Sequence, residues 1–288
     1  MKKSSLWFNI FVGPILIAFL MVVIVPMFVG IYYSFTDWNG IADKVNWVGF
    51  KNYIEVLTKD KSFLNAFIFT TKFSLVSVIS INLIGFSLAL LVTKKMKISN
   101  ALRSIFFMPN LIGGLILGFV WQFIFVKAFD WIGGALGISF LEGWLSTTST
   151  GFWGLVILMS WQLSGYMMVI YIAALQSIPD SLVEAAKIDG ANGFQRLIHI
   201  VIPLVAPAFT VGLFLTLSNS FKLFDQNLAL TNGAPYSSTQ MLALNIYSTA
   251  FSFNKLGLAQ AKAVIFLLTV AVITLTQLYY SKKREVEM

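Results

Sequence analysis

Residues 177–204 read SIPDSLVEAAKIDGANGFQRLIHIVIPL, a stretch bearing Asp180, Glu184, Lys187, Asp189 and Arg196 that lies between two long apolar runs. Ser181 followed three residues later by Glu184 is the pattern of a capping box. Leu182, Ala185 and Ala186 continue a helix, and Gly190 supplies the break that ends it. A second helix is expected to begin over 194–201, with Pro203 disturbing it where it enters the next apolar run. The product is a short helix, a turn and a second helix, exposed to water between two membrane segments. Composition alone leaves two readings open: Glu184 only caps and Gly190 only turns, or the loop carries a function of its own.

Outward from this stretch the chain is dominated by apolar runs. A transmembrane helix needs about 20 mainly apolar residues, and six segments qualify: 8–33, 63–92, 102–126, 151–175, 201–221 and 263–280. The composition agrees: 58% of the 288 residues are hydrophobic and only 11% charged, against about a quarter charged in soluble domains. The expected fold is an all-α integral membrane protein, with 1–288 forming one domain. Lys2 and Lys3 precede an apolar run over 10–31, longer than the ~7–15 residues of a signal-peptide core and without an A-x-A site, so a retained first helix is expected.

Charge and residue chemistry exclude other classes. The net charge of +8 does not imply nucleic acid, because Lys and Arg fall in short clusters between apolar runs and form no continuous basic stripe. Cysteine is absent, and the single His199 cannot build a histidine metal cluster. No cofactor is expected on this chain. Lys94, Lys95, Lys97 and Arg103 mark one loop, Lys187 and Arg196 another, and Lys282, Lys283 and Arg284 the C-terminal tail. Cytoplasmic retention of Lys and Arg places these loops and both termini inside. The first outer loop fits less cleanly, since it holds Lys44, Lys51, Lys59 and Lys61 beside Asp37, Asp43, Glu55 and Asp60.

Polar groups within the spans are costly in hydrocarbon and face the bundle or a watery cavity. Lys72, Asn82, Gln122, Gln162 and Asn219 stand out; each either holds helices together or lines a path. Gly114 with Gly118, and Gly133 with Gly137, have the small-xxx-small spacing that permits close helix approach.

Glu184-Ala185-Ala186, then Asp189-Gly190-Ala191, then Ile200 and Pro203 resemble the EAA loop of permease subunits in binding-protein-dependent ABC importers. The resemblance covers nearly the whole chain and is closest to the sugar-permease group that includes the maltose, glycerol-phosphate and multiple-sugar importers. Trp47-Val48-Gly49-Phe50-Lys51-Asn52-Tyr53 is similar to the group's entry to the second span, and RSIFFMPNLIGGLILGFVW over 103–121 to its third. Phe221-Lys222-Leu223-Phe224-Asp225 and Leu230-Thr231-Asn232-Gly233-Ala234-Pro235 resemble its FK-FD and LT-GGP segments, with Ala234 in place of the second glycine.

The resemblance implies a type I ABC importer membrane domain in a bacterial plasma membrane, paired with a second homologous permease. It makes 177–203 the coupling loop, seated by Glu184, Ala185, Ala186, Asp189, Gly190 and Ala191 in a cleft of one of two ATPase subunits. Those partners would hold ATP and Mg, since this chain lacks the G-x-x-x-x-G-K-[ST] phosphate loop. An extracellular or periplasmic sugar-binding protein would deliver a di- or oligosaccharide. A sugar requires aromatic faces together with amides and hydroxyls, which Trp161, Gln162 and Tyr166 of the fourth span and Thr216, Asn219 and Ser220 of the fifth offer. By resemblance to the maltose importer, Tyr166 and Thr216 match sugar-contacting positions; Asn219 and Ser220 match such positions with the residue type changed. Tyr166 either lines the path or packs at an interface, and Trp161 is expected to pack. Lys222 and Asp225 either pair at an outer gate or are solvated loop charges. A secondary transporter would show inverted repeats and an intramembrane carboxylate relay, and a membrane enzyme would cluster His, Asp or Glu; neither pattern is present, while a non-transporting membrane scaffold differs from the importer only through the coupling loop.

Overall fold

Six helices are long and apolar enough to cross a membrane in the computed structural model, which describes residues 2–94 and 97–283 and the side chains from Ile10 onward. Lys95 and Arg284 of the basic clusters lie outside the described residues, as do the side chains of Lys2 and Lys3. In chain order the helices are α1 (Ile10–Ser34), α2 (Lys51–Thr58), α3 (Lys61–Val92), α4 (Ser99–Phe107), α5 (Gly114–Leu136), α6 (Thr148–Gln176), α7 (Asp180–Ile188), α8 (Gly193–Phe221), α9 (Asp225–Leu230), α10 (Leu242–Tyr247) and α11 (Leu256–Lys282). The spans are α1, α3, α5, α6, α8 and α11, of 23 to 32 residues. At 1.5 Å per residue each exceeds the ~30 Å of a hydrocarbon core.

The third span departs from the expected 102–126. Residues 99–107 form the separate helix α4, a 3₁₀ turn follows over Met108–Leu111, and Ile112 and Gly113 are extended, so the span begins at Gly114. Pro109 at the start of that turn lacks a donor, which a continuous helix would require. Pro203 behaves differently from expectation too. It does not break the chain at the membrane, because a π turn over Leu197–Val201 precedes it and places it in the first turn of the regular helix, where its missing N–H costs nothing. Pro26 of α1 follows a π turn over Leu20–Ile24 in the same way.

The described chain falls into two compact units, Met1–Phe63 with Asn245–Leu268, and Leu64–Leu244 with Thr269–Met288. In the larger unit α6 is the axis. It starts in a capping box, with the Thr150 amide donating to Thr147 Oγ1 at 3.1 Å and the Thr147 amide to Thr150 Oγ1 at 3.2 Å. Its Leu155, Leu158, Met159, Met167, Met168 and Tyr171 are fully buried against Phe73 and Ile81 of α3 and Leu117 and Phe125 of α5. Lipid tails are as apolar as these side chains, so close packing rather than withdrawal from water holds the helices together. Glycine makes that approach possible. A Cβ at Gly114 would lie 2.9 Å from Asp225 Cβ and one at Gly118 2.5 Å from Ala229 Cβ, which seats α9 on α5. A Cβ at Gly165 would overlap the Phe106 carbonyl, so α4 rests directly on α6.

In the smaller unit a buried ammonium is the organising group. Lys262 is only 2% exposed, and its Nζ lies 2.7 Å from Asp60 Oδ2, 2.9 Å from Asn245 Oδ1 and 2.7 Å from Thr249 Oγ1. All three N–H donors are therefore used. The expected sixth span, 263–280, leaves Lys262 outside; α11 begins at Leu256 and includes it. Burial pushes the Asp60 carboxyl up, but the Lys262 ammonium and the Phe63 amide together outweigh it and hold Asp60 below the usual carboxylate range.

Candidate functional site

The exposed loop between α6 and α8 is built around a glycine turn. α7 starts after Pro179 with no side-chain cap, so the expected Ser181–Glu184 capping box does not form. With Asp180 already helical, Ser181 sits inside the first turn, where its hydroxyl is past the capping position. The box is instead at the second helix. The Gln195 amide donates to Asn192 Oδ1 at 2.9 Å, and the Asn192 amide to Gln195 Oε1 at 2.8 Å. α7 ends in a Schellman motif: the Gly190 amide donates to the Lys187 carbonyl at 3.1 Å and the Ala191 amide to that of Ala186 at 2.9 Å. Gly190 carries φ +81° there. Arg196 closes the turn from below, donating to the Ala191 carbonyl at 2.6 Å.

Around this turn Glu184, Ala185, Asp189 and Gly190 are exposed, while Ala186 and Ala191 are half-buried. Ile188 is 87% exposed and Phe194 70%, so two large apolar side chains flank the turn in water. Both escaped the sequence reading, whose only available signal was an apolar residue in an otherwise polar loop. A cleft of about 400 Å³ opens beside the turn between Asp189, Gln195, Arg196 and His199. Exposed apolar side chains beside charged ones, on a hydrogen-bonded turn, suit the surface of another protein.

The second candidate is a polar cavity of about 280 Å³ at the junction of α6, the end of α8 and the start of α9, lined by Gln162, Asn219, Lys222, Asp225 and Gln226 over a floor of Met159 and Leu163. Gln162 is buried, and its amide donates to the Ile112 carbonyl at 3.2 Å while its oxygen accepts from Gln226 Nε2 at 2.9 Å. The break before α5 thus places the Ile112 carbonyl where Gln162 needs an acceptor. Asn219 is exposed. Lys222 and Asp225 line the same cavity.

A family model described as binding-protein-dependent transport system inner membrane component matches residues 81–286. The chain belongs to that family. The permease is 57% identical over 99% of its length and 97% of the relative's to a probable starch degradation products transport system permease protein of Thermoanaerobacterium thermosulfurigenes. It is 32% identical to a trehalose/maltose transport system permease protein of Thermococcus litoralis, covering 92% of this chain and 90% of that one. Among solved structures it matches a bacterial ABC transporter involved in import of the acidic polysaccharide alginate, with TM-score 0.83 and 21% identity over 98% of this chain and 96% of that one, a likeness of fold. The protein is a multi-pass membrane permease subunit.

Not every expected path residue of this permease reaches the cavity. Gln162 and Asn219 meet there. Tyr166 is half-buried and faces Phe107 of α4, ring centroids 6.4 Å apart. Thr216 and Ser220 are fully buried. The Thr216 hydroxyl donates to the Gly212 carbonyl at 2.7 Å and accepts from Asn82 Nδ2 at 2.9 Å, and the Asn82 oxygen accepts in turn from the Tyr171 hydroxyl. Ser220 donates to the Leu217 carbonyl at 2.9 Å. Asn82 is thereby a structural tie between α3, α6 and α8. Gln226 was missed, because a lone glutamine in a short loop helix carries no pattern of its own.

Proposed function

We propose that this permease, with a second homologous permease, forms the path of an ATP-driven importer for a di- or oligosaccharide. The exposed α7 and its glycine turn carry the reading: a rigid knob of Glu184, Ala185, Ala186, Asp189, Gly190 and Ala191 that fits a cleft on an ATPase subunit. Two such ATPase subunits bind ATP and Mg and hydrolyse the ATP, and a sugar-binding protein outside the bacterial plasma membrane delivers the substrate. The transported sugar of the Thermoanaerobacterium and Thermococcus relatives supports the substrate class. The cavity's amides support it as well: Gln162, Asn219 and Gln226 offer donors and acceptors to hydroxyls. At about 280 Å³ the cavity is at the small end for a ligand site and forms one wall, which the second permease completes.

Asn219→Ala and Gln226→Ala are each expected to reduce sugar uptake several-fold with assembly intact, since one good hydrogen bond contributes about 0.5–1.5 kcal/mol net. Unchanged uptake kinetics in both variants would remove this cavity from the path.

In this reading both termini and α7 are cytoplasmic, on the strength of Lys187 and Arg196 in the loop and Lys282 and Lys283 at the end. The chain has no cysteine, so single substitutions Thr147→Cys and Asn192→Cys can be labelled cleanly. An impermeant thiol reagent applied to intact cells is expected to label position 147 and spare position 192; the reverse pattern inverts the topology.

A further inference from the structure

The short helix α2 lies where two spans leave the membrane on the same side, and its exposed surface is divided. Asn52 and Val56 are buried. Asn52 Nδ2 donates to the carbonyls of Ser34 and Thr36 at 2.9 and 2.8 Å, and Tyr53 Oη lies 2.6 Å from Ser34 Oγ. Those contacts fasten α2 to the end of α1, and α3 starts at Lys61, directly after Lys59 and Asp60. The helix is therefore held at the level where α1 ends and α3 begins, with no length of chain to lift it away.

Phe50, Ile54 and Leu57 follow one another at i, i+4 and i+7 and are 68%, 58% and 55% exposed. Lys51 falls on a different arc of the same helix, and Lys59 directly follows its last residue. The apolar strip does not stop at α2. Trp47, 63% exposed, stacks on Phe35 with centroids 5.3 Å apart and meets Tyr32 at 5.8 Å, while Phe50 meets Phe35 edge-on at 5.3 Å. Tyr32 belongs to α1 and is itself 57% exposed. The exposed surface of a span thus runs through three aromatic rings onto the side of α2 without a polar rim between them. A docking patch for a soluble protein would have such a rim; a surface continuous with a span at the boundary depth suits the region between lipid headgroups and acyl chains, where Trp and Tyr concentrate and Lys reaches outward to phosphate.

We propose that α2 is an interfacial anchor, with Trp47, Phe50, Ile54 and Leu57 embedded in the bilayer's headgroup–acyl boundary and Lys51 and Lys59 at the phosphates. The test uses the assembled transporter in phospholipid vesicles, with single nitroxide labels at Ile54→Cys, Leu57→Cys, Lys51→Cys and Lys59→Cys in this cysteine-free chain. All four side chains are exposed, so the labels do not disturb packing. Positions 54 and 57 are expected to collide several-fold more with oxygen than with a water-soluble nickel chelate, and positions 51 and 59 the reverse. Equal access of the nickel chelate to all four positions would overturn the proposal by placing the strip in water. Shielding of 54 and 57 from both collision agents would overturn it by placing a protein there.

Discussion

Gly190→Val is expected to abolish sugar-stimulated ATP hydrolysis and uptake in reconstituted vesicles while the complex still assembles, whereas Gly190→Asn retains most activity. The difference is conformational. Gly190 has φ +81°, and no heavy atom lies within 4 Å of where its Cβ would sit, so crowding plays no part. Holding a non-glycine residue in this region costs about 1–3 kcal/mol, roughly a 5- to 150-fold loss in the population of the turn. Valine, β-branched, lies at the costly end, and asparagine tolerates the left-handed region. Both Schellman bonds, from the Gly190 and Ala191 amides, depend on that conformation. Losing a solvent-exposed turn does not unfold a six-span protein, so assembly and coupling are separable. Glu184→Lys separates them further: no side chain caps the start of α7, so the charge reversal removes no cap and is expected to act on docking.

The second large effect is on stability. Lys262→Met leaves the Asp60 carboxylate, only 16% exposed, without its ammonium, and leaves Asn245 and Thr249 short of a donor. Removing one partner of a buried pair costs about 3–5 kcal/mol, so the thermal aggregation midpoint of the solubilised complex is expected to fall sharply. The double variant Asp60→Asn with Lys262→Met is expected to recover much of the loss, because no buried charge remains. The pH response carries a sign. In the parent, Asp60 is held below its ordinary value, so its contribution is present above the unfolded carboxylate's pKa and is lost as pH falls through the folded one. Without Lys262 only backbone amides oppose the burial effect, and acidification is expected to narrow the gap between the Lys262→Met variant and the parent. A gap that is constant with pH would show that Asp60 and Lys262 are not coupled.

How far the fold was legible depends on the range of the forces that set it. The six spans follow from local composition, because a bilayer demands about 20 apolar residues in a row. Residues 102–126 misled for the same reason: they are mainly apolar, and the break at Pro109 to Gly113 is set by where α4 packs on α6 and where the Ile112 carbonyl meets Gln162. The capping pattern at Ser181 and Glu184 had the right spacing, but Pro179 started the helix too early for it. At the cavity, Gln162 and Asn219 were legible as polar groups that hydrocarbon does not tolerate. Thr216 and Ser220 are one helical turn apart and share the inward side of α8, and Asn219 is turned about 100° from Ser220 toward the cavity. Lys262 could not be read at all, since its three partners come from Asp60, Asn245 and Thr249, segments that only the folded chain brings together.

The proposed coupling links ATP hydrolysis, through α7, to movement of sugar through this permease. It is tested most directly in vesicles holding the complete complex, with ATP sealed inside and sugar-loaded binding protein outside. Sugar accumulation is expected to require both, to persist when proton and sodium gradients are collapsed, and to disappear with Gly190→Val. Accumulation driven by an ion gradient in the absence of ATP would contradict it.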